Sequence, residues 1–194
     1  EDLSIVLAPM AEKGVEPTGS MGTDTPLAVL SDHPQLLGNY FKQLFAQVTN
    51  PPLDAIREEL VTSMRSRLGA EHDLFEETPE HCRQLSLEQP ILSNANLEKI
   101  RRLTQPYLRN ITLPTLYPVA EGGEGLEAAL GRLCRCASKA IDDGITILIL
   151  SDKGAGPDTA PIPALLAVAT VHHHLIRECK RTRCGIVLES GEPR

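Results

Sequence analysis

Residues 121–188 alternate between two kinds of segment, and that alternation constrains the fold more than any other feature of the chain. Leu126, Leu130, Leu133, Ala137 and Ile141 recur at helical spacing, between Glu121-Gly122-Gly123-Glu124 and Asp143-Gly144. They predict a long amphipathic helix that stops at a glycine. Residues 145–150 are almost continuously apolar and rich in β-branched side chains, which suits a strand covered on both faces. Residues 163–178 predict a second helix, and residues 184–188 a second buried strand. Helix, buried strand, helix, buried strand is the succession of a parallel sheet with helical crossovers. The expected fold class is therefore α/β with a mainly parallel sheet, and periodicity alone does not separate a small doubly wound sheet from other windings. No internal sequence repeat is present.

The first half is less regular. Residues 3–13 carry Ile5, Val6, Ala8, Pro9 and Met10, a short helix that Pro9 disturbs unless it lies in the first turn. Residues 14–26 are rich in Gly, Pro, Ser and Thr and read as a loop. Residues 27–30 read as a buried strand or extended segment. Leu37, Tyr40, Phe41, Leu44, Phe45 and Val48, following Pro34, give the clearest helical pattern of this half. Asn50 and Pro51 suit an N-cap and a first helical position, so residues 52–59 are expected to begin another turn or two of helix. Residues 60–64 then read as a strand, 69–81 as irregular, 94–104 as a short helix with Leu97, Ile100 and Leu103, and 110–113 as a strand. Residues 84–92 fit neither period.

Composition removes several functional classes. With 194 residues the chain can form one domain with a real core. Aromatics are 3% with no Trp, so that core must be aliphatic. A formal net charge of -7 and the lack of a basic stripe leave nothing to neutralise phosphates, which excludes nucleic acid as a partner. The longest apolar run, residues 160–171, contains two prolines and falls short of the roughly 20 residues that cross a bilayer, which excludes a membrane span. Five cysteines without framework spacing suit reduced thiols and a cytoplasmic location. Position 1 is Glu and the start is acidic, as expected of a segment within a longer polypeptide.

Three groups of residues invite a chemical reading. His172-His173-His174 suggests a metal, but on a helix adjacent side chains diverge by about 100° and cannot share an ion. His172 is expected instead as a packed, hydrogen-bonded histidine on the stripe of Leu165, Ala169 and Ile176. Cys179 and Cys184 lack third and fourth ligands, and Cys134 and Cys136 point about 200° apart on a helix, so no metal site is expected. Ser151-Asp152 and Glu189-Ser190 follow the two buried strands, at the edge where α/β proteins place their sites. The competing reading is that Asp152 and Ser190 cap loops or following helices. Gly154-Ala155-Gly156 completes no phosphate-binding spacing. An independent small enzyme using Asp152, Glu189 or His172 at the strand ends is one functional alternative, and a purely structural spacer another.

Four stretches carry a family resemblance. They are residues 19–31 (GSMGTDTPLAVLS), residues 45–59 (FAQVTNPPLDAIREE), residues 144–152 (GITILILSD), and residues 160–166 leading through His172-His173-His174 to Glu189-Ser190-Gly191-Glu192. In these the chain resembles the central domain of glutamate synthase, over its whole length and as a single domain, 1–194. The resemblance implies a rudimentary or incomplete relative of the β/α (TIM-like) barrel. It also implies a place between a glutamine amidotransferase domain and an FMN-binding synthase domain of the same chain, in an oxidoreductase that makes glutamate from glutamine and 2-oxoglutarate.

Further expectations come from the same resemblance. The central domain has no catalytic residue, no metal and no cofactor of its own, while FMN and an iron-sulfur cluster belong to the neighbouring barrel of the parent enzyme. It helps wall the ammonia tunnel. Met21 matches the constricting Met of the tunnel mouth and Thr49 the Thr that faces it. Thr23 stands where the family often has Asn or Asp, and Asp24 and Asn50 support the two segments. The electron donor, a small NADPH-oxidising subunit or ferredoxin, is left open.

Overall fold

The computed structural model describes residues 3–14, 25–45, 52–73 and 75–192. The chain divides into two compact units, residues 1–57 and 58–194. In the first, a π-helical turn, Leu3–Leu7, leads into helix α1, Ala8–Lys13. Pro9 lies in the first turn of α1, where its missing N–H costs nothing, and Gly14 ends the helix at φ 62°.

Three expectations for this region fail. Residues 27–30 form no strand: Ala28–Leu30 is a 3₁₀ turn closed by Leu30 N–H to Leu27 O at 2.9 Å, with Val29 70% and Leu30 75% exposed. An apolar run without a neighbouring strand satisfies its backbone locally instead. The helix expected from Leu37 shrinks to a 3₁₀ turn, Leu37–Phe41, with Phe41 70% and Phe45 64% exposed. A short helix is marginal unless its apolar face is packed, and among the described residues this one is not. The next helix, α2, is Ala55–Val61 and takes in part of the expected strand at 60–64. Its start is fixed by Asp54, whose Oδ1 accepts the Arg57 N–H at 2.8 Å, an N-cap later than Asn50.

The second unit holds the sheet. Strands β1, Ser66–Leu68, and β2, Leu85–Leu87, pair antiparallel, with Ser66 opposite Leu87. Helix α3, Asn94–Arg101, follows, its N-cap Ser93 accepting the Asn96 N–H. Then come β3, Asn110–Pro114; β4, Leu116–Pro118; α4, Gly122–Asp142; β5, Ile147–Ser151; β6, Thr159–Pro161; α5, Ala164–Arg177; and β7, Gly185–Glu189. Strands β3, β5 and β7 form a parallel sheet in that order, and β4 pairs antiparallel with β6. The parallel sheet expected from the sequence is present. Its strands follow one another without reversal, as in an arc of a β/α barrel, but no closed barrel forms among the described residues.

Alternation along β5 divides the core. Leu148 and Leu150, with Leu113 of β3, face Leu133, Ala137 and Ile141 of α4 and Ala167, Val171 and Leu175 of α5. Ile147 and Ile149 face the other way, onto Leu68, Leu97, Ile100 and Leu108. Every side chain of β5 is buried, and each Leu or Ile so placed contributes roughly 1.5–3 kcal/mol. The stripe expected on α4 is therefore real, with Leu126 and Leu130 packed at its margin. On α5 the core stripe is Ala164, Ala167, Val171 and Leu175, whereas Leu165 and Ile176 are exposed. The stripe assigned to His172 thus faces outward, because the longer side chains cover solvent-facing surface while alanines admit α5 close to α4.

A candidate site at the strand ends

The register brings Pro114, Ser151 and Glu189 side by side at the C-terminal edge of the parallel sheet. Two-residue alternation then decides which polar groups meet. Ser151 and Glu189 share a face with Ile149 and Val187, the face that α3 covers. Arg101, the last residue of α3, reaches that edge: Nη2 donates to Glu189 Oε2 at 2.6 Å and Nη1 to Oε1 at 3.5 Å. Arg101 also pairs with Glu98 and donates from Nε to Thr112 Oγ1 of β3 at 3.4 Å. Ser151 Oγ donates to Glu189 Oε2 at 2.5 Å, and Lys153 Nζ stands 3.5 Å from Oε1. Partial burial by itself would raise the Glu189 pKa. Hydrogen bonds from Arg101 and Ser151, with the charges of Arg101 and Lys153, outweigh it and hold the carboxyl below its ordinary value. Arg101 is correspondingly raised, first by its hydrogen bonds to Glu189 and Glu98.

The next residues link the loops beyond the strands. Ser190 Oγ donates to Asp152 Oδ2 at 2.5 Å, and Asp152 N–H donates to Glu189 O at 3.2 Å. Glu192 Oε2 accepts the Ala164 N–H at 2.7 Å and so caps α5, whereas Ser190 caps its own loop, its Oγ accepting the Glu192 N–H at 3.2 Å. Thr115, buried between β3 and β4, donates its N–H to Ser151 O and accepts from Ile162 N–H, both at 2.8 Å. The β4–β6 ribbon is thereby tied to the same edge.

Chemically, this edge is engaged with itself. Ser151 is buried and bonded to a carboxylate with no histidine beside it, which is no activated nucleophile. The histidines lie elsewhere, on α5. His172 Nδ1 accepts from Arg181 Nε at 2.9 Å, His174 Nε2 meets Ser138 Oγ at 2.8 Å, and the His172 and His173 rings pack edge to face at 5.1 Å. Desolvation, then the charges of Arg181 and His173, hold His172 below the ordinary histidine range. Among the described residues no group of three or more His, Cys, Asp or Glu side chains could hold a metal ion, and the five thiols, Cys82, Cys134, Cys136, Cys179 and Cys184, are all free. No helix among the described residues is long and apolar enough to cross a membrane.

The sequence singled out Ser151, Asp152, Glu189 and Ser190, and the fold does bring them together, as two linked pairs. It gave no signal for Arg101, which lies 88 residues from Glu189. Met21, Thr23, Asp24, Thr49 and Asn50, the residues of the expected tunnel mouth, lie outside the described residues.

Comparison with known proteins adds a second line of observation. The profile of the family described as "Glutamate synthase central domain" matches residues 1–194. The large chain of the NADPH glutamate synthase of Bacillus subtilis is 48% identical over 194 residues, covering 100% of this chain and 12% of that one. The ferredoxin-dependent chloroplastic glutamate synthase of Spinacia oleracea is 42% identical over 195 residues, 99% of this chain and 12% of its own. The NADPH large chain of Azospirillum brasilense is 41% identical over 192 residues, with the same shares of 99% and 12%. The chain thus spans about an eighth of the length of these curated relatives.

Proposed function

This chain belongs to the glutamate synthase central domain family, and from that membership we propose that it is the single connecting domain between a glutamine amidotransferase domain and an FMN-binding synthase domain of one polypeptide. The observation that carries this reading is the match of 99–100% of the chain to one short segment, 12% of the length, of several much longer enzymes. The parent enzyme releases ammonia from glutamine, passes it through an internal tunnel, and combines it with 2-oxoglutarate under reduction to give glutamate. FMN and an iron-sulfur cluster serve the synthase part, with either NADPH through a second subunit or ferredoxin as donor, in the cytoplasm. The central domain performs none of these steps. The engagement of Ser151, Asp152, Glu189 and Ser190 with one another supports a positioning role over an independent site at the strand ends.

The domain's own contribution is the tunnel mouth: Met21 constricts it, Thr49 faces Met21, Thr23 lines it, and Asp24 and Asn50 hold the two segments. A thioether suits a gate because it is apolar and adaptable, and ammonia must be kept from water and from protonation. In the full-length enzyme, Met21→Ala is expected to uncouple the half-reactions. Glutamine consumption should exceed 2-oxoglutarate amination, whereas Lys139→Ala, at an exposed position of α4, should leave the ratio unchanged. Measuring both substrates in one assay decides it. A folded Met21→Ala enzyme that keeps the parent ratio would reduce this domain to a spacer.

A further inference from the structure

Three donors converge on one point at the C-terminal edge of the sheet: the Arg101 guanidinium, the Ser151 hydroxyl and, more loosely, the Lys153 ammonium. This is the equipment of a small-oxyanion site, a bidentate arginine with a hydroxyl and a second cation. The place is right as well, since strand ends of parallel sheets are where α/β proteins bind ligands. Here the anion is the chain's own. Glu189 puts both carboxylate oxygens among the donors, and the ion pair is well shielded, with side chains 21% and 15% exposed for Arg101 and Glu189.

We propose that the strand ends form an anion site occupied by Glu189 as an internal ligand, which locks α3 onto β7 and shuts the site to external carboxylates and phosphates. The geometry explains why the lock acts between distant elements. Arg101 is the last residue of α3, its backbone carbonyl and that of Ile100 accept from Asn110 Nδ2 of β3 at 3.4 and 2.9 Å, and its guanidinium crosses to β7. One end of α3 is therefore held to β3 through its backbone and to β7 through a carboxylate. Lys153, largely exposed, adds little to the strength of the lock. Removing Glu189 would leave Arg101 Nη2 and the Ser151 hydroxyl without their carboxylate, while Nη1 keeps Glu98 and Nε keeps Thr112, and would open a void the size of a carboxymethyl group. Acetate matches that void in charge and in size.

The test is hydrogen exchange, followed by mass spectrometry on the full-length polypeptide in peptides spanning residues 94–101 and 185–189. In Glu189→Ala, exchange in both is expected to rise roughly tenfold or more, the scale of a lost charged hydrogen bond. Acetate or inorganic phosphate at about 100 mM should return most of that protection by binding the vacated site, and should change nothing in the unmutated chain. Chloride at matched ionic strength should not restore it. Unchanged exchange in Glu189→Ala would overturn the proposal, as would protection restored equally by chloride, which is only screening. Glu189→Gln keeps the side-chain volume and guards against a misfolded alanine variant. It should show faster exchange in residues 94–101 and no response to acetate, and parental exchange there would overturn the proposal equally. None of these readings depends on glutamate formation, so they stand or fall separately from the tunnel.

Discussion

Cys179 and Gly144 occupy the same position in the same motif at the ends of two neighbouring helices, and only one of them is suited to it. After α4, Ile145 N–H reaches Ala140 O at 2.9 Å and Gly144 N–H reaches Ile141 O at 3.0 Å. After α5, Lys180 N–H reaches Leu175 O at 2.8 Å and Cys179 N–H reaches Ile176 O at 3.0 Å. Both are Schellman closures, which require a left-handed residue, with φ 82° at Gly144 and 54° at Cys179. A side chain there costs roughly 1–2 kcal/mol, offset in part by the greater freedom glycine has when unfolded. Cys179→Gly is therefore expected to stabilise the chain by about 0.5–1 kcal/mol, and Gly144→Ala to destabilise it by at least as much. A Cβ at Gly144 would also stand 3.0 Å from Arg109 Nη1. Urea unfolding midpoints of the two variants check the opposite signs. The glycine made the end of α4 legible in the sequence. The end of α5 carried no such signal, because the closure tolerates a strained cysteine that composition does not betray.

Among the elements, length and burial decided what could be read. Helices α4 and α5 and strands β5 and β7 were all anticipated, the helices from a 3.6-residue period and the strands from continuous apolar runs, each long enough to be distinctive. Strands β1, β2, β4 and β6 are three residues each and were missed, because three residues establish no alternation and their pairing comes from other parts of the chain. The junction of α3 and β7 depends on charge, and its pH dependence follows from Glu189. Its folded pKa is lowered from the ordinary carboxyl value of 4.5, because hydrogen bonds from Arg101 and Ser151 and the charges of Arg101 and Lys153 outweigh its desolvation. The stabilisation it contributes is then fully present above that value and is lost as pH falls through the lower, folded pKa. Glu189→Gln should consequently be less stable than the parent at pH 7, with the gap closing as pH drops below about 4. Denaturation midpoints of both chains across that range measure it, and a gap independent of pH would deny the ion pair its role.

For the whole molecule the two units differ in kind. Among the residues before Leu68 whose side chains the structure describes, none is buried, whereas residues 68–184 supply two apolar clusters on opposite faces of the sheet. Amides of β5 are expected to exchange only through global unfolding of their unit, and those of residues 25–45 at close to free-chain rates in the isolated chain. Exchange rates mapped along that chain check this, and protection of residues 25–45 equal to that of β5 would contradict it. By itself the sequence determined the class of fold, the parallel sheet, the aliphatic core and the family, because each rests on periodicity, composition or extended identity along the chain. The tertiary structure alone decided that the apolar stretches at 27–30 and 37–45 stay exposed, that among the described residues β3, β5 and β7 pair in that order, and that Arg101 meets Glu189. Those outcomes depend on which surfaces find partners across dozens of residues, and a local pattern of side chains carries no record of the partner it will meet.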